Sequence, residues 1–123
     1  MKKRILIVED QEDNRKILRD LLTSVGYDLV EATTGEEGVA MAEKERPDLI
    51  LMDIQLPGLD GYEATRRIKA NPVLRHIPVI AVTSYALSGD DVKAREAGCD
   101  ASVTKPFSPR ALLAKVREYL PAE

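Results

Sequence analysis

The sequence predicts an α/β domain: a doubly wound parallel sheet of five strands with helices on both faces. Three observations predict it. Short apolar runs alternate five times with stretches of helical period. The runs are continuously apolar, as in strands buried on both sides. The connections are short, so each strand must return parallel to the last through a right-handed helical crossover.

Each element then has its own signal. The strand runs are Arg4 to Glu9, Leu29 to Ala32, Asp48 to Asp53, Pro78 to Thr83 and Ala101 to Thr104. Between the first two, Ile17, Leu18, Leu21, Leu22 and Val25 recur at helical spacing, and Gly26 supplies a left-handed stop. Thr34 with Glu37, Asp60 with Glu63 and Ser88 with Asp91 each place a capping acceptor three residues ahead of an acid, so helices two to four begin there. Gly98 closes the fourth. Ser108 followed by Pro109 opens the fifth, whose buried face is Leu112, Leu113, Val116 and Leu120.

Composition narrows the function. A chain of 123 residues suits one domain, taken as residues 1–123, and 44% hydrophobic with 32% charged residues is a globular balance. A net charge of −3 recommends neither nucleic acid nor an anionic membrane as a partner. No apolar run approaches the roughly 18 residues of a membrane span. Met1, Lys2, Lys3 and Arg4 are followed by only four apolar residues before Glu9, short of a secretory core, which predicts a cytoplasmic protein. Cys99 is the single cysteine, so an internal disulfide or a cysteine cluster for zinc is impossible, and a small packed residue is expected.

The chemistry lies where strands end. Glu9 and Asp10 follow the first apolar run and Asp53 closes the third. In a parallel sheet these ends share one edge, where ligand crevices form. Two ionised carboxylates about 4 Å apart repel by roughly 4 kcal/mol at an effective dielectric near 20, so such a cluster needs protons or a cation. At neutral pH a hard divalent ion is the better remedy, and Mg²⁺ suits a few carboxylates open to solvent. Thr83 and Lys105 follow the fourth and fifth runs onto the same edge. A carboxylate beside a metal and an amine can attack a phosphoryl group, because both cations neutralise its equatorial oxygens.

The segments "VEDQ", "MDIQLPGLDG", "VTSYA" and "TKPF" fall in order along the whole chain, at the spacings of a response regulator receiver domain. The sequence resembles that family, chemotaxis-type single-domain members included, through Glu9 and Asp10, Asp53 with Pro57, Gly58 and Gly61, Thr83, and Lys105 with Pro106. The resemblance implies a flavodoxin-like fold with strand order 2-1-3-4-5. It implies that Asp53 accepts a phosphoryl group from a sensor histidine kinase or a histidine phosphotransfer protein. Mg²⁺ would be held by Asp10 and Asp53, by Glu9 through water, and by the main-chain carbonyl of Gln55. Lys105 would contact the phosphate, and Thr83 would turn its hydroxyl onto a phosphate oxygen and draw its loop inward. No enzymatic turnover is implied beyond self-phosphorylation and autodephosphorylation. Output would come from a two-state surface docking a downstream effector protein, with the first helix meeting the kinase. The fourth and fifth helices would form the output face, in a monomer or weak dimer.

One departure stands out: the family usually has Tyr or Phe three residues before the lysine, where this chain has Ser102. Tyr85, two residues beyond Thr83, is the aromatic that could move in its place or gate water at the acyl phosphate. The family also implies a cis Lys105-Pro106 bond, against the general preference for trans. His76 precedes the fourth run, at the far end of the sheet from the acids, and is read as a loop residue. Tyr62 and Tyr119 are read as packing on helix faces.

Two rival functions fit less well. A Mg²⁺-dependent phosphatase with an aspartyl nucleophile usually carries that residue after the first strand and a second Asp two residues on, where this chain has Gln55. A flavin-binding carrier needs a phosphate-friendly first loop, whereas "EDQED" would repel phosphate without a metal.

Overall fold

The computed structural model describes residues 2–83, 90–105 and 108–120. Strands and helices alternate through them as β1 (Arg4–Val8), α1 (Glu12–Ser24), β2 (Asp28–Ala32), α2 (Gly35–Glu45), β3 (Leu49–Asp53), α3 (Gly61–Ala70), β4 (Val79–Thr83), α4 (Asp90–Ala97), β5 (Ala101–Thr104) and α5 (Pro109–Tyr119). The strands form one sheet in the order β2-β1-β3-β4-β5, parallel at every pairing. The chain leaves β1 for β2 on one side, then crosses back to β3 on the other, so β1 and β3 flank the switch point where such sheets open a crevice.

Side chains of the central strands sort by parity. Leu6, Val8, Ile50, Met52, Val79 and Ala81 face one way and pack with Ala42 of α2, Ala64 and Ile68 of α3 and Ala94 of α4. Ile5, Ile7, Leu49, Leu51 and Ile80 face the other way, against Leu18 and Leu22 of α1 and Leu112 and Val116 of α5. Both faces of the three central strands are therefore covered, which is why β1, β3 and β4 read as nearly uninterrupted apolar sequence. The edge strands β2 and β5 are only part-buried and carry Glu31, Ser102 and Thr104, against the expectation of five continuously apolar runs.

The capping signals at Thr34, Asp60 and Ser108 are realised: each side chain accepts the backbone N–H three residues on, from Glu37, Glu63 and Ala111. Ser88 lies outside the described residues. Gly26 takes φ +95° just past α1, the left-handed stop its position predicts. Helix α1 departs from expectation in its face. Leu18 and Leu22 are buried, but Ile17 is 54% and Val25 39% exposed. Ile17 and Leu18 are about 100° apart around the axis, and the helix turns Leu18 onto the sheet, leaving Ile17 on the solvent flank. Cys99 is buried, as expected of a packed residue. His76 is exposed between α3 and β4.

Candidate functional site

Parallel pairing aligns Val8 of β1 with Met52 of β3, so the residues that follow emerge side by side on the carboxyl edge of the sheet. Glu9 continues the ladder by donating its N–H to the Ala32 carbonyl at 3.0 Å. Asp53 ends β3. Both carboxylates are turned inward, with Glu9 2% and Asp53 4% exposed. Asp10 is half-buried beside them. One carboxylate oxygen from each of Glu9, Asp10 and Asp53 lies within 4.8 Å of the other two. The strand ends thus form a compact set of hard oxygen donors, of the kind that suits a divalent cation.

Lys105 reaches this set from the end of β5. Its backbone N–H is tied to the Thr83 carbonyl at 2.6 Å, and its Nζ bonds Glu9 Oε1 at 2.8 Å and Asp53 Oδ2 at 3.4 Å. Asp53 Oδ1 accepts the Gln55 N–H at 3.2 Å, and Glu9 Oε2 accepts the Gln11 N–H at 3.1 Å. Burial first, and then the charge of Glu9, push the Asp53 carboxyl up to about 7, although the Lys105 amine and the Gln55 N–H pull against them. For Glu9 burial also acts upward, but the Lys105 hydrogen bond and the Gln11 N–H outweigh it and hold the group below the usual carboxylate range. Burial works against the Lys105 ammonium, yet the two acids outweigh it and raise its pKa. The three groups therefore titrate as one set, with the Lys105 ammonium held between the two acids and Asp53 the more readily protonated of them.

The loop after β3 is shaped to present Asp53. A Cβ on Gly61 would stand 2.3 Å from the Asp53 carbonyl oxygen and 2.8 Å from Ile54 Cα, so only glycine lets the first turn of α3 close on the strand end. Gly58 takes φ +72° in the same loop. Gly61 N–H donates to the Ile54 carbonyl at 3.1 Å, and Asp60 caps the helix that follows.

The structure therefore brings Glu9, Asp10, Asp53 and Lys105 together. Thr83 is buried at the end of β4 on the same edge, its hydroxyl directed across to the Val103 carbonyl at 3.5 Å. Ser102 is half-buried in β5 and lines a shallow cleft of about 130 Å³ with Arg95 and Cys99. Tyr85 and Pro106, with the proposed cis bond, lie outside the described residues. Sequence reasoning missed Arg15: its Nη1 donates to the Glu9 carbonyl at 2.9 Å. Its only sequence signal was a position one turn into the helix that follows the acids, which suits any surface arginine equally well.

The chain is similar to three known proteins. The chain is 46% identical over 120 residues to the polar-differentiation response regulator DivK of Brucella anthropi, covering 98% of each chain. It matches the crystal structure of the receiver domain of a sensor histidine kinase from Pseudomonas aeruginosa, which has a magnesium ion coordinated in its active-site cleft. That match has a TM-score of 0.91 at 38% identity over 98% of both chains. A response regulator receiver domain protein from Methanospirillum hungatei superposes with a TM-score of 0.88 at 38% identity, over 98% of this chain and 94% of that one. The family model described as the response regulator receiver domain matches residues 5–117. The chain belongs to the family of response regulator receiver domains, modules of two-component signalling.

Proposed function

We propose that Asp53 is the phosphoacceptor of this receiver, charged from the phosphohistidine of a sensor histidine kinase or a histidine phosphotransfer protein. The observation that carries the reading is the Lys105 amine bridging two buried carboxylates, Glu9 and Asp53, at the switch point of the sheet. A strand-end aspartate beside an amine, with two further acids placed to hold a cation, is arranged for negative charge to be added there once that cation is bound.

In the transfer, an Asp53 carboxylate oxygen attacks phosphorus, a P–O bond forms and the P–N bond to the donor imidazole breaks. The imidazole leaves with the electron pair and takes up a proton. Asp53 must be ionised to attack, and the Lys105 ammonium together with a bound cation would favour that form against the protonated one that burial promotes. Lys105 then has a new partner, its ammonium neutralising a phosphoryl oxygen. Glu9, Asp10, Asp53 and the Gln55 main-chain carbonyl would hold Mg²⁺, a choice supported by the closeness of the three carboxylates. When bound, the ion supplies positive charge against the acids and the incoming phosphoryl oxygens.

Phosphorylation adds roughly −1.5 to −2 charge and strong acceptor oxygens. Thr83, at the end of β4, has a hydroxyl available to turn onto them, biasing a two-state equilibrium of the surface that docks a downstream effector. A cytoplasmic place of action goes with this reading. Incubation with Mg²⁺ and acetyl phosphate is expected to add one phosphoryl group per chain by intact-mass spectrometry, and none to Asp53→Asn. Labelling of the variant at the wild-type rate would overturn the assignment. Continuous release of phosphate from a phosphomonoester would instead favour the aspartyl phosphatase.

A further inference from the structure

We propose that Arg15 is a positioning residue of the acidic site, fixing the Glu9-Asp10 peptide so that both carboxylates are presented together. It is 13% exposed by its side chain and one turn into α1. Its Nη1 donates to the Glu9 carbonyl at 2.9 Å, its Nη2 pairs with Glu12, and its Nε faces Glu31 Oε1 at 3.4 Å. With that contact every polar group of Glu9 is engaged. The N–H meets the Ala32 carbonyl, the carbonyl meets Arg15, and the two carboxylate oxygens meet Lys105 and Gln11. The orientation of the peptide that leads into Asp10 is thereby set from α1 and β2.

Asp10 depends on this more than its neighbours do. Its side chain is half-buried and accepts from the Gln11 amide at 3.3 Å, whereas Asp53 and Glu9 are each gripped by Lys105 and a backbone N–H. A carboxylate with so loose a side-chain anchor is directed by its own backbone, and Arg15 is what holds that backbone. Groups that orient metal ligands from behind typically contribute 10–100-fold to affinity.

Arg19 supplies the control. It pairs with the same two acids as Arg15, through Glu31 Oε2 at 2.8 Å and Glu12 Oε1 at 3.4 Å, but no contact ties it to Glu9. The proposal rests on the acids being a Mg²⁺ site, and the experiment separates the two. Mg²⁺ is titrated calorimetrically into wild type, Arg15→Ala, Arg15→Lys and Arg19→Ala, and thermal midpoints and metal-free amide spectra are recorded for each. The expectation is a roughly tenfold weaker Mg²⁺ affinity in Arg15→Ala. Shifted Asp10 and Gln11 amide signals should accompany it before any metal is added. Arg15→Lys keeps one donor and should recover part of the affinity, and it carries the test if Arg15→Ala does not fold. Arg19→Ala should lower the thermal midpoint and leave the affinity unchanged. Wild-type affinity in the Arg15 variants, or an equal loss in Arg19→Ala, overturns the positioning role. Failure of the wild type to bind Mg²⁺ overturns the metal site itself.

Discussion

Among single residues, Gly61 shows most directly how the site is built. The 2.3 Å approach of a Cβ to the Asp53 carbonyl is to rigid backbone, so Gly61→Ala must displace either α3 or the strand end that presents Asp53. The variant is expected to lose roughly 1–3 kcal/mol of stability by urea denaturation and to be labelled more slowly by acetyl phosphate. An unchanged labelling rate would mean that the loop moves without moving Asp53. Lys105 offers a complementary test. Lys105→Met keeps the length of the side chain but leaves Glu9 and Asp53 facing each other without a cation, so metal-free protein should lose stability at pH 8 and regain part of it on adding Mg²⁺. The acids were legible in the sequence because a charged residue directly after a continuous apolar run has little reason to be there for packing, and Lys105 because parallel strands bring the end of the fifth run to the same edge as the acids. Arg15 was not, because its partner is a main-chain carbonyl, and carbonyls carry no residue signature.

At the scale of elements, the best-read features were those fixed locally. Thr34, Asp60 and Ser108 cap because a side-chain oxygen and an N–H three residues on meet in any helix that starts there. The face of α1 was read too widely, since Ile17 is as apolar as Leu18 and only tertiary packing decides which points inward. A clamp at the far end of the sheet was not read at all. Lys69 of α3 donates to the Ile77 carbonyl at 2.8 Å and the Arg75 carbonyl at 3.2 Å, and it meets Asp100 Oδ2 at 3.0 Å. Asp100 in turn accepts the Val79 N–H at 2.8 Å, so one lysine ties α3, the start of β4 and the turn before β5. Nothing in the sequence links positions 69 and 100. Lys69→Met, which keeps the apolar stem, is expected to lower stability by about 1–3 kcal/mol, since it strips an ionised donor from partly buried acceptors. Phosphorylation should proceed at the wild-type rate, because the clamp sits at the end of the sheet away from the acids. A lowered rate with intact stability would show that the two ends communicate.

For the whole molecule, the acidic site sets how stability responds to pH and metal. Glu9, Asp10 and Asp53 meet only when β1 and β3 are paired, so the unfolded chain has no equivalent site and any cation bound there stabilises the fold by mass action, about 2.7 kcal/mol at a hundred times the dissociation constant. Without metal the trend with pH has the opposite character. Asp53 is raised to about 7 in the folded chain from an ordinary 3.8, so between those values the folded state keeps a proton that the unfolded state has released. Its stabilising contribution is full below about pH 4 and is lost as pH rises through 7, with a slope of at most about 1.4 kcal/mol per pH unit. Glu9 shifts the other way, and the stability it adds is already complete above its ordinary value of 4.5, leaving the window from pH 5 to pH 7 to Asp53. Metal-free protein should therefore show a thermal midpoint that falls between pH 5 and pH 8, and saturating Mg²⁺ should flatten the fall by replacing the proton. Asp53→Asn removes the titrating group, so its midpoint should be less sensitive to pH across that window and higher than that of the wild type at pH 8 without metal. A wild-type midpoint that rises with pH in the absence of Mg²⁺ would mean that Asp53 is ionised throughout, with Lys105 alone sufficient to hold both carboxylates charged.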